Sequence, residues 1–432
     1  MSERLSCTAT VPSAVVTATS PVLDRSHRWK VLGVGVAANA SFAAALGGIP
    51  ATAVQMRAAY ALANADLGIV LGMIGLGIAV SELPWGMLTD RWGDRRVLLA
   101  GLLASAAALV ALGLWGAPAP HYVPSMPMLA AGMLAVGALG GSVNGSSGRA
   151  VMRWFHDNER GLAMSVRQCA VPLGGGIGAL LLPGVALHLG FGAVYGGLAA
   201  ACFAAAFMAW LWLREPPEAP HETRRDARAC AASGYSPLRD RKLLGTALGM
   251  AVLAMPQVAV LTFGTVFLHD FAHVDVATIS LALGVVQGGA AITRVWSGRY
   301  TDKRRNRPQY LRACTIAVGA VFAALAVLVA WLGHHPEWLA HGTPAMIALL
   351  AAGGVIASAW HGVAFTELAT MAGASRAGTA LGIGNTGVFL TMFLTPLSIP
   401  LLLALGGWGL VWAGGLMCAA LAWPLFVWSH RR

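Results

Sequence analysis

Twelve runs of about twenty apolar residues, following one another from residue 30 to near the end of the chain, restrict the fold more than any other feature. They lie near 30–52, 65–88, 97–116, 127–149, 162–184 and 190–213, then near 243–268, 277–300, 310–333, 344–366, 377–402 and 407–429. Each is long enough to cross a hydrocarbon core of ~30 Å as a helix. The runs are continuous rather than alternating, which excludes barrel strands and leaves helices, whose backbone groups satisfy one another in lipid. Apolar residues make up 57% of the chain and charged residues 11%, a balance far from that of a soluble domain. The chain reads as an all-α membrane protein with 12 transmembrane helices.

The longest internal polar interruption, residues 214–242, holds Pro216, Pro217, Pro220 and a run of charges, and divides the spans six and six. This predicts a cytoplasmic tail over 1–29, a six-helix bundle over 30–213, a cytoplasmic linker over 214–242, a second six-helix bundle over 243–429 and a short cytoplasmic tail over 430–432. No cleavable signal is expected in the Ser/Thr-rich tail. The net charge of +11 superficially resembles a nucleic-acid signal. With a cytoplasmic N-terminus, however, every Lys and Arg except Arg57 falls on the inner side, which is the positive-inside bias of a membrane protein. The expected partners are therefore the lipid bilayer and a small molecule, with no nucleic acid, and the expected state is a monomer. Arg outnumbers Lys 26 to 3, the bias of a GC-rich bacterial genome, so the expected location is a bacterial inner membrane. The six cysteines fall in spans or on the inner side, where no disulfide is expected.

The two halves echo each other. Gly86-Met-Leu88-Thr-Asp90-Arg91-Trp-Gly93-Asp-Arg95-Arg96 has a second copy, half a chain further on, in Gly298-Arg-Tyr-Thr-Asp302-Lys303-Arg304-Arg305. Asn158-Glu159-Arg160-Gly161-Leu-Ala163 is similarly echoed by Ser375-Arg376-Ala-Gly378-Thr-Ala380. Internal repeats are the usual build of secondary transporters, with the substrate site near the midplane between repeats. Small residues four apart, at Gly68/Gly72, Gly137/Gly141/Gly145, Gly174/Gly178, Gly245/Gly249, Gly284/Gly288 and Gly378/Gly382, predict close helix contacts. Pro84, Pro172, Pro256 and Pro396 predict kinks.

The Gly86–Arg96 loop resembles the loop between the second and third helices of the major facilitator superfamily, and the copy ending at Arg305 sits where that family keeps its second one. The resemblance covers the whole chain. It implies two pseudo-symmetric six-helix bundles that alternate access to a central site, with Gly86, Leu88, Asp90, Arg91, Gly93, Arg95, Arg96, Gly298, Asp302, Lys303, Arg304 and Arg305 forming a latch that breaks when the cytoplasmic side opens. Gly86 and Gly93 suit close helix contact and a sharp turn. Asp90, at a helix C-terminus where the dipole disfavours an acid, needs a cationic or helix-N-terminal partner.

Charges inside spans cost ~2.5–3.5 kcal/mol at mid-helix on insertion scales, so each marks a function. Glu82, Arg167 and Arg294 are the clearest. Glu82 and Arg294 are separated by the same interval as the two loop copies, and so occupy pseudo-equivalent positions with opposite charge. The resemblance implies that the fifth and eighth helices face each other, bringing Arg167 and Arg294 to similar depth, where two guanidinium groups call for a carboxylate or phosphate between them. Arg294-x-x-x-Gly298 also resembles the substrate-contacting arginine of the monocarboxylate branch. That branch carries an Asp one turn earlier where this chain has Ala290, leaving Glu82 as the proton-coupling candidate. Asn39, Gln257, Gln287 and Asn385 are candidates for substrate hydrogen bonds, alongside Asn144 and the Trp360-His361 pair.

No lysine sits in a GxxxxGK[ST] loop, and no HExxH, paired CxxC or GxSxG occurs, so neither an ATPase nor another enzyme is expected, and no cofactor or metal. The expected function is secondary active transport of a small organic anion, a carboxylate, by proton symport. The alternative is an efflux antiporter for drug-like or amphipathic compounds, since Pro172-Leu-Gly174-Gly175 faintly resembles an antiporter motif. A non-transporting membrane enzyme on this scaffold is disfavoured by the paired loops and the absent catalytic constellation.

Overall fold

The computed structural model describes residues 26–155, 157–214, 237–372 and 377–429. The side chains of Asp90, of residues 157–162 and of Ser165 lie outside the described residues, as do most of the two terminal tails and of the linker over 214–242, residues 373–376 and the side chains of 377–378 and Ser429. Thirteen α-helices run through the described residues: α1 His27–Ala51, α2 Ala53–Ala59, α3 Asn64–Trp92, α4 Asp94–Trp115, α5 Met126–Gly140, α6 Ser142–Trp154, α7 Asp157–Trp212, α8 Arg241–Asp270, α9 Val276–Arg304, α10 Arg307–His334, α11 Leu339–Ser358, α12 His361–Ala372 and α13 Ala377–Ser429.

Ten helical segments among these residues are long and apolar enough to cross a membrane. Two of them, Val166–Trp212 and Thr379–Trp428, run to 47 and 50 residues. At 1.5 Å per residue each is ~70 Å or longer, more than two hydrocarbon cores. Both are interrupted by glycine in the left-handed region, Gly190 at φ 79° and Gly407 at φ 66°, where any other residue is strained. Divided there, the ten segments correspond to the expected twelve. The fourth and tenth expected spans are each built from two consecutive helices, α5–α6 and α11–α12.

Local chemistry accounts for the helix starts. Asp240 accepts from the Lys242 and Leu243 amides to begin α8, and Asp275 accepts from Ala277 and Thr278 to begin α9. The Thr278 hydroxyl and amide hold the exposed Asp275 carboxyl below the usual carboxylate range. Within residues 26–214, α7 packs along α1 and α4, and α3 packs along α5. Within 237–429, α13 packs along α8 and α10 around a cluster in which Phe267 meets Trp408 and Trp412 at 5.2 and 5.0 Å between ring centroids.

The two helix sets meet chiefly through α3 on α13 and α7 on α9. Glycine makes the first contact possible: a Cβ at Gly68 would lie 2.3 Å from the Pro396 carbonyl oxygen, and one at Gly72 would lie 2.9 Å from that of Phe393. A Cβ at Gly284 on α9 would similarly press on Leu180 of α7. These positions lie toward the ends of the helices that carry Arg57 and Asp270. Toward the ends carrying the repeated loops, Cβ atoms at Gly86, Gly298 and Gly382 would meet nothing within 4 Å. The sets are thus pressed together through glycine at the Arg57 face.

Candidate functional site

Glu82 lies ten residues before the end of α3, Arg294 ten before the end of α9, and Arg167 ten after the start of α7. The outer turns of these helix ends carry charges, so all three lie five or six residues, ~8–9 Å, inside the loop-side edges of their expected spans, in that half of a ~30 Å core. Arg167 is 3% exposed. Its Nη1 donates to the Ser147 hydroxyl at 3.0 Å and to the Asn144 carbonyl at 3.4 Å, and its Nη2 to Asn144 Oδ1 at 3.5 Å. Small residues make its slot, since a Cβ at Gly148 would come 3.3 Å from Nη2 and one at Gly35 3.7 Å from Cδ. Asn39 on α1 joins the cluster, donating from Nδ2 to Ser147 Oγ and to the Gly35 carbonyl, both at 2.8 Å.

Glu82 faces Asn385 of α13 and lies in the field of Arg167. No ion pair within 4.0 Å joins it to Arg167, and Glu82 Oε2 is buried with no hydrogen-bond partner among the described residues. Arg294 belongs to a different neighbourhood. It interacts electrostatically with Cys169 of α7 and with His361 of α12, and its buried Nε has no partner among the described residues. Cys169 follows Arg167 by two residues, about 200° around the helix. The two guanidinium groups therefore address different sides of α7 rather than converging. His361 stacks on Trp360 at 3.9 Å, where the tenth span breaks between α11 and α12. Trp360 itself is fully buried and packs rather than lining a cavity.

The remaining polar candidates separate. Gln287 on α9 reaches the other helix set: its Nε2 occupies the space beside Gly47 of α1 and Gly175 of α7. Gln257 is buried in α8 beside Pro256, with no hydrogen bond to another described residue.

In the first repeated loop, Gly93 takes φ 84° as the joint between α3 and α4, and Arg305, at the matching position of the second copy, takes φ 50° at the joint between α9 and α10. Both joints turn at a residue of positive φ, but the geometry differs: Gly93 has ψ 162°, open only to glycine, whereas Arg305 has ψ 37°, the left-handed helical conformation. The side chain of Asp90, to which the sequence points, lies outside the described residues; among those described, Asp94 is 2% exposed and pairs with Arg149 at 3.3 Å and Arg153 at 3.5 Å on α6. Arg95 donates from Nη2 to the Trp210 carbonyl at 2.9 Å, while Arg91 and Arg96 are exposed and Gly86 and Leu88 form part of the last turns of α3. In the second loop, Asp302 is exposed and accepts from Arg307 Nη2 at 2.8 Å, Arg304 covers the Tyr300 ring at 4.9 Å, and Lys303 is exposed. Ser147, Asp94, Arg149 and Arg153 are absent from the sequence-derived candidates; a serine or arginine among the small residues of span 4 carries no spacing signal of its own.

A family model for the Major Facilitator Superfamily matches residues 34–334, well over half of the chain. The chain belongs to the major facilitator superfamily. Like other members of this superfamily it is a multi-pass membrane transporter and not an enzyme. An uncharacterised MFS-type transporter of Mycobacterium tuberculosis is 30% identical over 363 residues, covering 83% of this chain and 76% of the relative. A glycerol-3-phosphate transporter of Bacillus subtilis is 29% identical over 154 residues, 35% of this chain and 34% of that one. Among solved structures, a D-xylose-proton symporter superposes with a TM-score of 0.73 at 15% identity, covering 91% of this chain and 97% of the other. An inward-facing, unoccupied bacterial homologue of the lysosomal transporter Spinster gives 0.66 at 14% identity, covering 94% and 96%. At such identities the two structures share the fold of this MFS protein and nothing finer.

Proposed function

We propose that this protein moves a small organic anion, a carboxylate, across the bacterial inner membrane together with a proton. The observation that carries the reading is the charge inside the spans. Two guanidinium groups, that of the buried Arg167 and that of the half-buried Arg294, share a level with one carboxylate, Glu82, and the buried Nε of Arg294 has no hydrogen-bond acceptor among the described residues. Two positive charges and one negative leave a net positive charge in a medium where an uncompensated ion is costly. That charge attracts an anion, and guanidinium suits a planar carboxylate. Glu82, with an unpartnered oxygen near Arg167, supplies the proton site. A proton taken up by Glu82 with a monovalent anion cancels the anion's charge, so the loaded carrier has the same net charge as the empty one.

In this reading residues 30–213 and 243–429 are the two moving halves of a monomer, and both termini face the cytoplasm, as the inner-side bias of Lys and Arg supports. The loop face is then cytoplasmic, and close packing at the Arg57 face corresponds to an inward-facing state. Asn39 and Asn385 serve as supports for Arg167 and Glu82, while Gln257 and Gln287 are available to a substrate. The partly matching glycerol-3-phosphate transporter, and a probable anion transporter of rice that is 30% identical over 29% of this chain, lend support at the level of anion chemistry.

The test is thermal stabilisation of the purified protein by a panel of carboxylates, paired with uptake by the Arg294→Lys variant. Stabilisation by at least one carboxylate, and lost uptake with normal expression, are expected. Wild-type uptake in Arg294→Lys overturns the anion site.

A further inference from the structure

We propose that Ser147 is a positioning residue that sets which edge of the Arg167 guanidinium is offered to a bound anion, and through it the preference for a planar carboxylate. The inference rests on the anion reading above.

Ser147 is a three-way junction. Its oxygen accepts from Asn39 Nδ2 at 2.8 Å and from Arg167 Nη1 at 3.0 Å, and its hydroxyl donates to the Val143 carbonyl at 2.6 Å. A serine hydroxyl has one donor and two acceptor sites, so this one is saturated and its geometry is fixed. The junction ties together α6, α1 and α7, and it is buried, with Ser147 1% exposed.

The consequence falls on Arg167. A guanidinium presents its donors along an end edge, made by Nη1 and Nη2, and a side edge, made by Nε and Nη2. Ser147 and Asn144 occupy the end edge: among the described residues, every hydrogen bond of Arg167 goes to one of these two. The side edge is bare, and Nε is buried without a partner among the described residues. Gly148 and Gly35 wall the group closely enough that the guanidinium has little room to rotate. A carboxylate arriving at the side edge meets two parallel N–H groups, the bidentate arrangement that discriminates by shape as well as charge. Glu82 lies in the field of the same guanidinium without closing on it. A second acceptor, in the form of a substrate carboxylate, completes the edge.

Without the Ser147 hydroxyl, the end edge loses its shortest bond, and the guanidinium is held only by the two longer Asn144 contacts and its glycine-lined slot. The expected loss is that of a hydrogen bond to a charged partner, about tenfold or somewhat more in affinity. It should fall more heavily on planar anions than on tetrahedral ones, for which edge orientation matters less.

The experiment measures binding to purified wild-type, Ser147→Ala and Ser147→Thr proteins, with pyruvate, succinate, benzoate and glycerol 3-phosphate as probes. Threonine keeps the hydroxyl and bonds readily to the carbonyl four residues back. The expected result is that Ser147→Ala weakens the best carboxylate about tenfold, narrows its advantage over glycerol 3-phosphate and lowers ligand-free melting, because the Asn39 and Arg167 donors lose an acceptor, while Ser147→Thr stays within about threefold of wild type in affinity and close to it in melting. If Ser147→Ala binds the carboxylate as tightly as wild type, the positioning role is wrong while the anion site stands. If alanine and threonine lose affinity equally and both lower the ligand-free melting temperature, Ser147 only packs, and the proposal fails. If wild type binds no probe, the anion reading falls and takes this inference with it.

Discussion

Arg57 of α2 donates from both terminal nitrogens to the two carboxylate oxygens of Asp270 at the end of α8, tying the two helix sets together across one face. Arg57 is also held by Asn64 Oδ1 at 3.0 Å, and Asp270 by His269 Nδ1 at 2.7 Å. In the proposed orientation, Arg57 is the one basic residue expected on the outer side. A cation placed against the topological rule has a partner in the opposite set, and the bridge lies where the glycines of α3 press on α13.

Breaking the bridge should loosen that face. Both side chains keep about a quarter of their surface exposed, at 23% and 29%, so the pair contributes ~1 kcal/mol rather than the larger value of a buried one. Asp270→Arg should raise amide exchange in α2 and in the first turn of α3, and the double change Arg57→Asp with Asp270→Arg should restore protection. Exchange rates that do not respond to the single change, or a double variant no better than the single, would show that the bridge does not hold the sets together.

The same bridge should tolerate alkaline conditions. The hydrogen bond to Asp270 pushes the Arg57 guanidinium further above its already high ordinary value. A base whose folded value is raised contributes stability fully below its unfolded value and loses it only as pH rises through the folded one. For arginine both lie far above working conditions, so exchange protection of α2 should stay flat from about pH 6 to about pH 9. A loss of protection with a midpoint in that window would show that the bridge does not control this face.

Asp94 should matter to stability. It is nearly fully buried and draws Arg149 and Arg153 of α6 onto the start of α4. Removing the charge while keeping the shape, in Asp94→Asn, leaves two cations facing a neutral amide, at a cost of ~2 kcal/mol. The melting temperature should drop by several degrees, and the Arg149→Gln background should soften the loss if the interaction is shared. Equal melting of Asp94→Asn and wild type would make the pairing incidental.

Some of these features are legible in the sequence and others are not. The apolar runs and the Gly93 turn need no tertiary information, because lipid and a positive φ each impose a local demand. Glu82, Arg167 and Arg294 stand out because a charge within a span is rare and carries its own signal. Their pairing is not legible. The repeat offset relates Glu82 to Arg294 by symmetry, and symmetry mates occupy equivalent places in different halves; the fold sets Glu82 beside Arg167 and Asn385 instead. Ser147 and Asp94 are hidden for the opposite reason: serine is ordinary in a membrane helix, and Asp94 sits among charges in a loop where only burial distinguishes it. Arg57 stands out as an exception, but its partner belongs to the other half of the chain and is brought to it only by the packing of α8.

Glu82 offers a test of coupling that leaves binding intact. Its carboxylate approaches Arg167 without an ion pair, so Glu82→Gln removes a proton site while the Arg167 contacts to Ser147 and Asn144 remain. Counterflow in proteoliposomes should continue within about threefold of wild type, since exchange needs no net proton movement, whereas accumulation driven by a pH gradient should vanish. The magnitude follows from the lost coupling step rather than from affinity, which is set by the arginines. Gradient-driven accumulation at the wild-type level in Glu82→Gln would place the proton elsewhere.

The contact between α3 and α13 makes a sharper demand on the backbone. A methyl group at Gly68 would sit 2.3 Å from the Pro396 carbonyl oxygen, an atom of a helix backbone that cannot rotate aside. Reaching an ordinary contact of 3.4 Å requires the helices to part by roughly 1 Å at that level, which overpacking data place at ~1–3 kcal/mol. Gly86, toward the other end of the same helix, would meet nothing within 4 Å, and alanine there should instead gain up to ~1 kcal/mol of helix propensity. Because the strain at Gly68 arises only while the Arg57 face is closed, Gly68→Ala should favour the alternative state. Amide exchange in the first turns of α3 should therefore rise in Gly68→Ala, rise further when Asp270→Arg is added to it, and stay unchanged in Gly86→Ala. If the two alanines behave alike, the close approach at Gly68 is not what holds that face shut, and the bridge would have to do so alone, which its ~1 kcal/mol does not allow.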